Sequence, residues 1–157
     1  MKVNKKYNCL FIGNEIVDVV SEVSFDFLEK HKIDVGSWSP VSINEINELQ
    51  EKMSNILIAS GGSAANSAVG FSLLGGRSAF IGRVKSDDFG SLYINDLKEA
   101  NVDFISNPVD KGNETGRCLV YVSPDAQRSM RTYLGAASNL SPENLDINAF
   151  ENSEIVY

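Results

Sequence analysis

The stretch that decides the fold runs from Gly61 to Phe104 and reads GGSAANSAVGFSLLGGRSAFIGRVKSDDFGSLYINDLKEANVDF. Residues 60–63 predict a turn with a helix-capping serine, and the small and apolar residues of 64–74 predict a helix that packs closely against a sheet. Gly75-Gly76 ends this helix, residues 77–82 predict a strand, and residues 87–100 predict a second helix with an acidic start. Such alternation indicates a parallel α/β sheet with right-handed crossovers.

Four strands are predicted upstream of this stretch. The apolar run of residues 7–13 ends at a glycine, which is typical of a buried strand whose end meets a ligand or a turn. The β-branched residues of 16–23 predict a second strand, and alternation puts Asn14, Ile16 and Asp18 on one face. Further elements are predicted as a helical turn over 25–31, a loop and strand over 35–43, a helix over 44–53 and a strand over 56–59.

Downstream, residues 115–122 and 128–134 alternate and predict a hairpin that shares a sheet with the strands around Asp18 and Val41. The Ser141-Pro142-Glu143 triplet predicts the start of a helix, and the last four residues predict the opening of a strand. Ending inside a core strand is unusual for a natural domain, because it leaves an unpaired sheet edge.

Composition narrows the classes of function. A chain of 157 residues, 43% hydrophobic, is long enough for one domain with a buried core. Its formal charge of -7 disfavours nucleic acid as a partner, because a nucleic-acid binder needs clustered Lys and Arg. The sequence has no apolar run long enough for a signal sequence or membrane span, so we expect a cytoplasmic protein with no membrane partner. Cys9 and Cys118 are far apart without a CxxC pair, so no metal site is expected.

Two local patterns suggest a binding site. In Gly61-Gly62-Ser63-Ala64-Ala65-Asn66, paired glycines let a ligand approach the backbone, first-turn amides can donate, and Asn66 lies one turn after Gly62. A tight turn before a helix capped by serine would give the same pattern. Asp18 suits a vicinal diol, since a carboxylate accepts two hydroxyl hydrogen bonds, although a solvated edge-strand acid is the alternative. Arg128 and Arg131 could meet an anion, yet solvated charges are the simpler expectation.

The chain resembles the ribokinase, or PfkB, carbohydrate kinase family, and its adenosine-kinase-like branch in particular. The Gly61–Phe104 stretch carries the resemblance, supported by GNEIVDV at residues 13–19 and TGRCLVYVSPDAQRSMRTYLGAA at residues 115–137. The resemblance implies a Rossmann-like α/β fold, with helices on both faces of a parallel sheet and a small β-sheet lid. Residues 1–157 would be the N-terminal part of that domain, incomplete at the C-terminus, with lid segments at about 14–24, 36–43, 56–60 and 115–134.

The resemblance also implies transfer of the ATP γ-phosphate to a primary hydroxyl of a ribose-type sugar or an adenosine-like nucleoside. The complete enzyme would use ATP and Mg²⁺, whereas this part is expected to bind neither. The family's DTxGAGD and NxxE segments are absent, so no catalytic residue is expected here and the chain alone should lack kinase activity. Two alternatives stay open: a non-catalytic sugar- or nucleoside-binding module, and a piece of a longer enzyme. A homodimer through the lid sheet is a further expectation.

Residues of the substrate site are also implied by the resemblance. Asp18 would bind ribose-type hydroxyls, Trp38 would face the base or sugar, and Leu134 and Ala136 would form an apolar wall. The full implied set consists of Asn14, Asp18, Trp38, Gly61, Gly62, Ser63, Asn66, Leu134 and Ala136.

Overall fold

Two β-sheets organise the protein in this computed structural model, which describes residues 5–157. The first four residues of the predicted 1–157 domain lie outside the described residues. The first sheet is parallel throughout, in the order β6-β5-β1-β9. Its strands are β1 (Tyr7–Ile12), β5 (Ser78–Ile81), β6 (Val102–Phe104) and β9 (Ser153–Val156). The predicted parallel α/β sheet is therefore confirmed.

The second sheet is mixed and has the order β3-β8-β7-β2-β4. Its strands are β2 (Ile16–Glu22), β3 (Trp38–Pro40), β4 (Leu57–Gly61), β7 (Gly116–Val122) and β8 (Arg128–Tyr133). The predicted hairpin is confirmed: β7 and β8 pair antiparallel and a turn over residues 123–127 joins them. As predicted, this hairpin shares its sheet with β2 and with β3, which pair parallel to β7 and β8.

Helices cover both faces of the first sheet because its strands alternate apolar side chains between two cores. Phe11 and Phe80 pack towards α3 (Ser63–Leu73) and α4 (Asp88–Glu99), which contributes Tyr93. Leu10, Ala79 and Ile81 face the other way, towards Ala149 of α5 (Ile147–Glu151). Ala64, Ala65 and Ala68 are buried, and their small side chains let α3 approach the sheet closely.

One face of the second sheet is covered and the other is more open. Val19, Leu119 and Tyr121 pack under Leu28 of α1 (Phe25–Lys30) and Ile46 of α2 (Ile43–Gln50). The opposite face carries a smaller apolar cluster formed by Ile16, Val20, Cys118, Val120 and Met130. No helix within residues 5–157 is long and apolar enough to cross a lipid bilayer.

Four local predictions were wrong or incomplete. The short strand β6 was not predicted, because three residues give too little alternation to recognise. The Ser141-Pro142-Glu143 triplet opens only a 3-10 turn, and α5 instead begins after the Asp146 cap. Arg131 is buried, not solvated, and donates to Ser37 Oγ and to the carbonyl of Met130. The fourth correction concerns the serine cap of α3, described with the site below.

Candidate functional site

The side chain of Asp18 lies directly against the backbone of Gly61. Their strands pair antiparallel, with Asp18 opposite Ala59 and Ile16 opposite Gly61. A Cβ atom built on Gly61 would lie 2.5 Å from Cγ and 2.7 Å from Oδ1 of Asp18, far inside van der Waals contact. Only glycine leaves room for the carboxylate, so the second strand and the glycine turn form one structural unit.

The Asp18 carboxylate has unused capacity to accept hydrogen bonds. It is half-buried, and within residues 5–157 no hydrogen bond or salt bridge reaches its oxygens. Burial raises the pKa of Asp18 above its ordinary value, whereas the charge of Arg128 acts in the opposite direction. A carboxylate that has lost part of its hydration without gaining a protein donor gains most from a ligand that brings hydroxyl groups.

Gly62 starts α3 and holds the turn in a conformation that favours glycine. Its φ is +90°, and a Cβ atom there would lie 2.6 Å from the carbonyl oxygen of Asn14. The predicted serine cap is wrong, because Gly62 occupies the N-cap and no side chain caps this helix. Ser63 is already helical, and the carbonyl of Gly62 accepts from the amide of Asn66 at 2.9 Å. The first-turn amides of α3 therefore stay available to a ligand.

The structure brings together some of the predicted site residues and separates others. Asn14, Asp18, Gly61 and Gly62 meet through the contacts above, and the side chains of Asn14, Ser63 and Asn66 are exposed. These residues, with Ile16 among them, lie in residues 13–18 and 61–66, where the two sheets connect; we call these two segments the sheet junction.

Trp38 lies three strands away from Asp18 on the same sheet. It is 58% exposed, and its Nε1 donates to Thr132 Oγ1 at 3.0 Å. Thr132 in turn contacts Cys118 Sγ at 3.2 Å, and Cys118 is the register partner of Asp18. Linked side chains thus run across the sheet from Trp38 to Cys118, which lies next to Asp18 on the neighbouring strand.

Leu134 and Ala136 follow β8 at the far end of the hairpin. The carbonyl of Leu134 lies 2.7 Å from a Cβ atom built on Gly116, the register partner of Ile16. The side chain of Leu134 is 38% exposed, but Ala136 is only 1% exposed. Of these two, Leu134 presents the apolar surface.

Sequence reasoning missed two side chains beneath this site. Glu15 is fully buried, and the hydroxyl of Tyr93 donates to the carbonyl of Gly61 at 3.4 Å. Alternation could have found Glu15, because it places this side chain opposite Asn14 and Ile16, towards the interior. Tyr93 gives no such signal, since a tyrosine at helical spacing is indistinguishable from an ordinary core residue.

Comparisons with known proteins agree with this architecture. The adenosine kinase from Sinorhizobium meliloti superposes with a TM-score of 0.90 at 37% identity, over 97% of this chain and 46% of that protein. A probable sugar kinase from Rhizobium etli CFN 42 gives a TM-score of 0.90 at 32% identity, over 98% of this chain and 46% of that protein. The predicted ribokinase-like α/β fold is thereby confirmed.

Sequence relatives point to the same family. Fructokinase of Escherichia coli is 33% identical over 109 residues, 69% of this chain and 36% of the relative. Probable fructokinase-2 of Arabidopsis thaliana is 31% identical over 125 residues, 78% of this chain and 36% of the relative. The matched part of this chain thus spans only 36% of the length of each of these two relatives. Residues 35–157 match the pfkB family carbohydrate kinase, and the chain belongs to that family.

Proposed function

We propose that this chain is the acceptor-binding part of an ATP-dependent kinase for a ribose-type sugar or an adenosine-like nucleoside. The observation that carries the proposal is the Asp18 carboxylate, half-buried on Gly61 with its acceptor sites free. Two carboxylate oxygens suit two adjacent hydroxyls of a furanose ring, because both hydrogen bonds form in one plane.

The surrounding residues have the chemistry to complete such a site. The glycine turn lets a ligand ring approach the backbone, and the free amides of the first turn of α3 can donate to ring hydroxyls. Asn14, Ser63 and Asn66 supply exposed polar side chains from both segments of the sheet junction. Held at several points, the sugar would present one primary hydroxyl in a fixed direction, which is how positioning assists phosphoryl transfer.

We assign the second sheet the role of a lid, formed by segments 14–24, 36–43, 56–60 and 115–134. Its more open face carries Asp18 together with apolar residues, and Trp38 and Leu134 are large exposed side chains able to contact a base or sugar. Ala136 would support this wall from beneath, because it is buried. The exposed apolar surface also supports a homodimer through the lid, which sedimentation analysis would test.

The chemical step belongs, in this proposal, to residues outside this chain. Within residues 5–157 no three His, Cys, Asp or Glu side chains cluster in a way that could hold a metal ion. The 157 residues also lack a DTxGAGD segment. Because the 157 residues lack this segment, we assign them no step of phosphoryl transfer and predict no ATP-dependent turnover by the chain alone.

Ligand-dependent thermal unfolding tests the proposal directly. Adenosine, ribose, fructose and ATP are added singly to the chain, and a ligand that binds only the folded state raises the midpoint. We expect a rise with at least one of the three sugar or nucleoside compounds, and no rise with that compound in an Asp18→Ala variant. Equal midpoint shifts in both proteins would remove Asp18 from the site, and no shift with any compound would contradict sugar binding by this chain.

A further inference from the structure

Glu15 places a carboxyl group in the interior of the sheet junction with no partner. The residue is 0% exposed, and within residues 5–157 neither of its carboxylate oxygens has a hydrogen-bond partner. Its side chain fills the space above Gly82, at the end of β5, where a built Cβ atom would coincide with Oε1. The side chain of Glu15 therefore packs against the end of the first sheet, whereas its backbone leads directly into β2 of the second sheet.

The charged groups near Glu15 do not compensate a negative charge there. Arg83 follows Gly82, but its guanidinium donates to Asn144 Oδ1 at 2.6 Å instead. Burial raises the pKa of Tyr93 of α4, and the nearby charges of Glu15 and of Asp18 of β2 raise it further. With two acids, a neutral phenol and a diverted arginine, the protonated carboxyl is the favoured form. Burial therefore raises the pKa of Glu15 to about 7, although the backbone amides of Arg83 and Glu15 act in the opposite direction, so the protonated form predominates below neutral pH.

The two residues that flank Glu15 in sequence contact the glycine turn of the proposed sugar site. The carbonyl of Asn14 packs on Gly62, and Ile16 is the register partner of Gly61. From the other side, the Tyr93 hydroxyl holds the carbonyl of Gly61. A displacement of Glu15 would therefore move the glycine turn against which the Asp18 carboxylate rests.

We propose that Glu15 is a positioning residue for sugar binding, whose buried neutral carboxyl holds the sheet junction in the arrangement that seats Asp18 on Gly61. This inference rests on the proposed function, because it assigns the sugar to that site. Loss of the proton leaves a carboxylate that must reach water or a donor, which shifts the segment from Asn14 to Ile16 and weakens sugar binding.

Affinity measured against pH tests this role, with Glu15→Gln as the matched variant because it keeps the shape and cannot ionise. The probe is whichever of ribose, fructose or adenosine raises the unfolding midpoint, titrated calorimetrically between pH 5.5 and pH 8.5. If only the protonated form binds, about 3% of the wild-type protein is competent at pH 8.5, so its affinity falls about 30-fold across this range. The variant should vary by less than about twofold. Tyr93 and Cys118 do not titrate between pH 5.5 and pH 8.5, because burial raises the pKa of Tyr93 above its ordinary value of 10.0 and that of Cys118 to about 11.

The outcomes separate the two proposals. A wild-type affinity that stays constant with pH overturns the role of Glu15, and this result does not depend on whether the variant folds. An equal fall of affinity in the wild type and in Glu15→Gln overturns it as well. In either case a sugar still binds and the proposed function stands. If none of the three probes binds either protein at any pH, the proposed function fails, and the positioning role fails with it.

Discussion

Replacing Gly61 by alanine tests the central contact of the site. The added methyl carbon would lie 2.5 Å from Cγ of Asp18, so the carboxylate must turn away from the glycine. In the described part of the chain, residues 5–157, Asp18 makes no hydrogen bond or salt bridge that it could lose, and we therefore expect little change in the free energy of unfolding. Each hydrogen bond between the carboxylate and a sugar hydroxyl contributes about 1.5–3 kcal/mol, so losing even one weakens binding roughly 10- to 150-fold.

Gly70→Ala is the matched control for this experiment. Gly70 lies in α3, is exposed, and has no atom within 4 Å of a built Cβ. Alanine there should leave sugar affinity unchanged and stabilise the helix by about 0.5–1 kcal/mol. Calorimetric titration and thermal unfolding of both variants give the two quantities. Wild-type affinity in a folded Gly61→Ala protein would refute the assignment of Asp18 as the sugar-binding carboxylate.

Three further predictions follow from single side chains. Asp18→Ala removes both proposed hydrogen bonds and should weaken sugar binding by at least about 1.5–3 kcal/mol in calorimetric titration, and unchanged affinity would contradict its role. The pKa of Glu15 is raised from 4.5 to about 7, so the protonated group's contribution to the free energy of unfolding is fully present below pH 4.5 and is lost as the pH rises through 7. In urea unfolding, the wild type should therefore lose about 3 kcal/mol relative to Glu15→Gln over this range. Parallel pH profiles of the two proteins would disprove this. Asp87→Ala should lower the free energy of unfolding by about 2–3 kcal/mol in the same assay, because Asp87 accepts hydrogen bonds from the Gly90 amide and from the Thr115 amide and hydroxyl. A smaller loss would mean that water replaces the carboxylate as the acceptor.

Local sequence patterns predicted most of the fold because most elements are long enough to repeat their period. The apolar run of β1, the alternation in the β7–β8 hairpin and the small residues of α3 each predicted the element that forms. The three residues of β6 could not be predicted this way, since that strand exists through its pairing with β5. The Ser141-Pro142-Glu143 triplet has a helix-start chemistry, but only a 3-10 turn follows it before Asp146 caps the true helix.

The candidate site was only partly predictable because its contacts join residues distant in sequence. Alternation put Asn14 and Asp18 on one face, but no local rule predicts that Asp18 rests on Gly61, which depends on the register of β2 against β4. Glu15 was overlooked although alternation points its side chain towards the interior. In a connector between two sheets a glutamate normally faces solvent, and only the bare surface of Gly82 lets this one turn inward.

The sheet junction breaks several rules that a fold selected for stability alone would keep. A helix starts without a side-chain cap, and within residues 5–157 the half-buried Asp18 carboxylate and the buried Glu15 carboxyl lack hydrogen-bond partners. An apolar residue in place of each acid would remove two of these penalties. A capping serine could not replace Gly62 without strain, because the φ of Gly62 is +90° and a Cβ atom there would lie 2.6 Å from the carbonyl oxygen of Asn14. Elsewhere α1, α2 and α4 begin with serine or aspartate side chains that accept from the helix backbone. In the proposed site, a sugar hydroxyl would donate to the Asp18 carboxylate and another would accept from a first-turn amide of α3, whereas the buried Glu15 carboxyl would act from beneath the ligand.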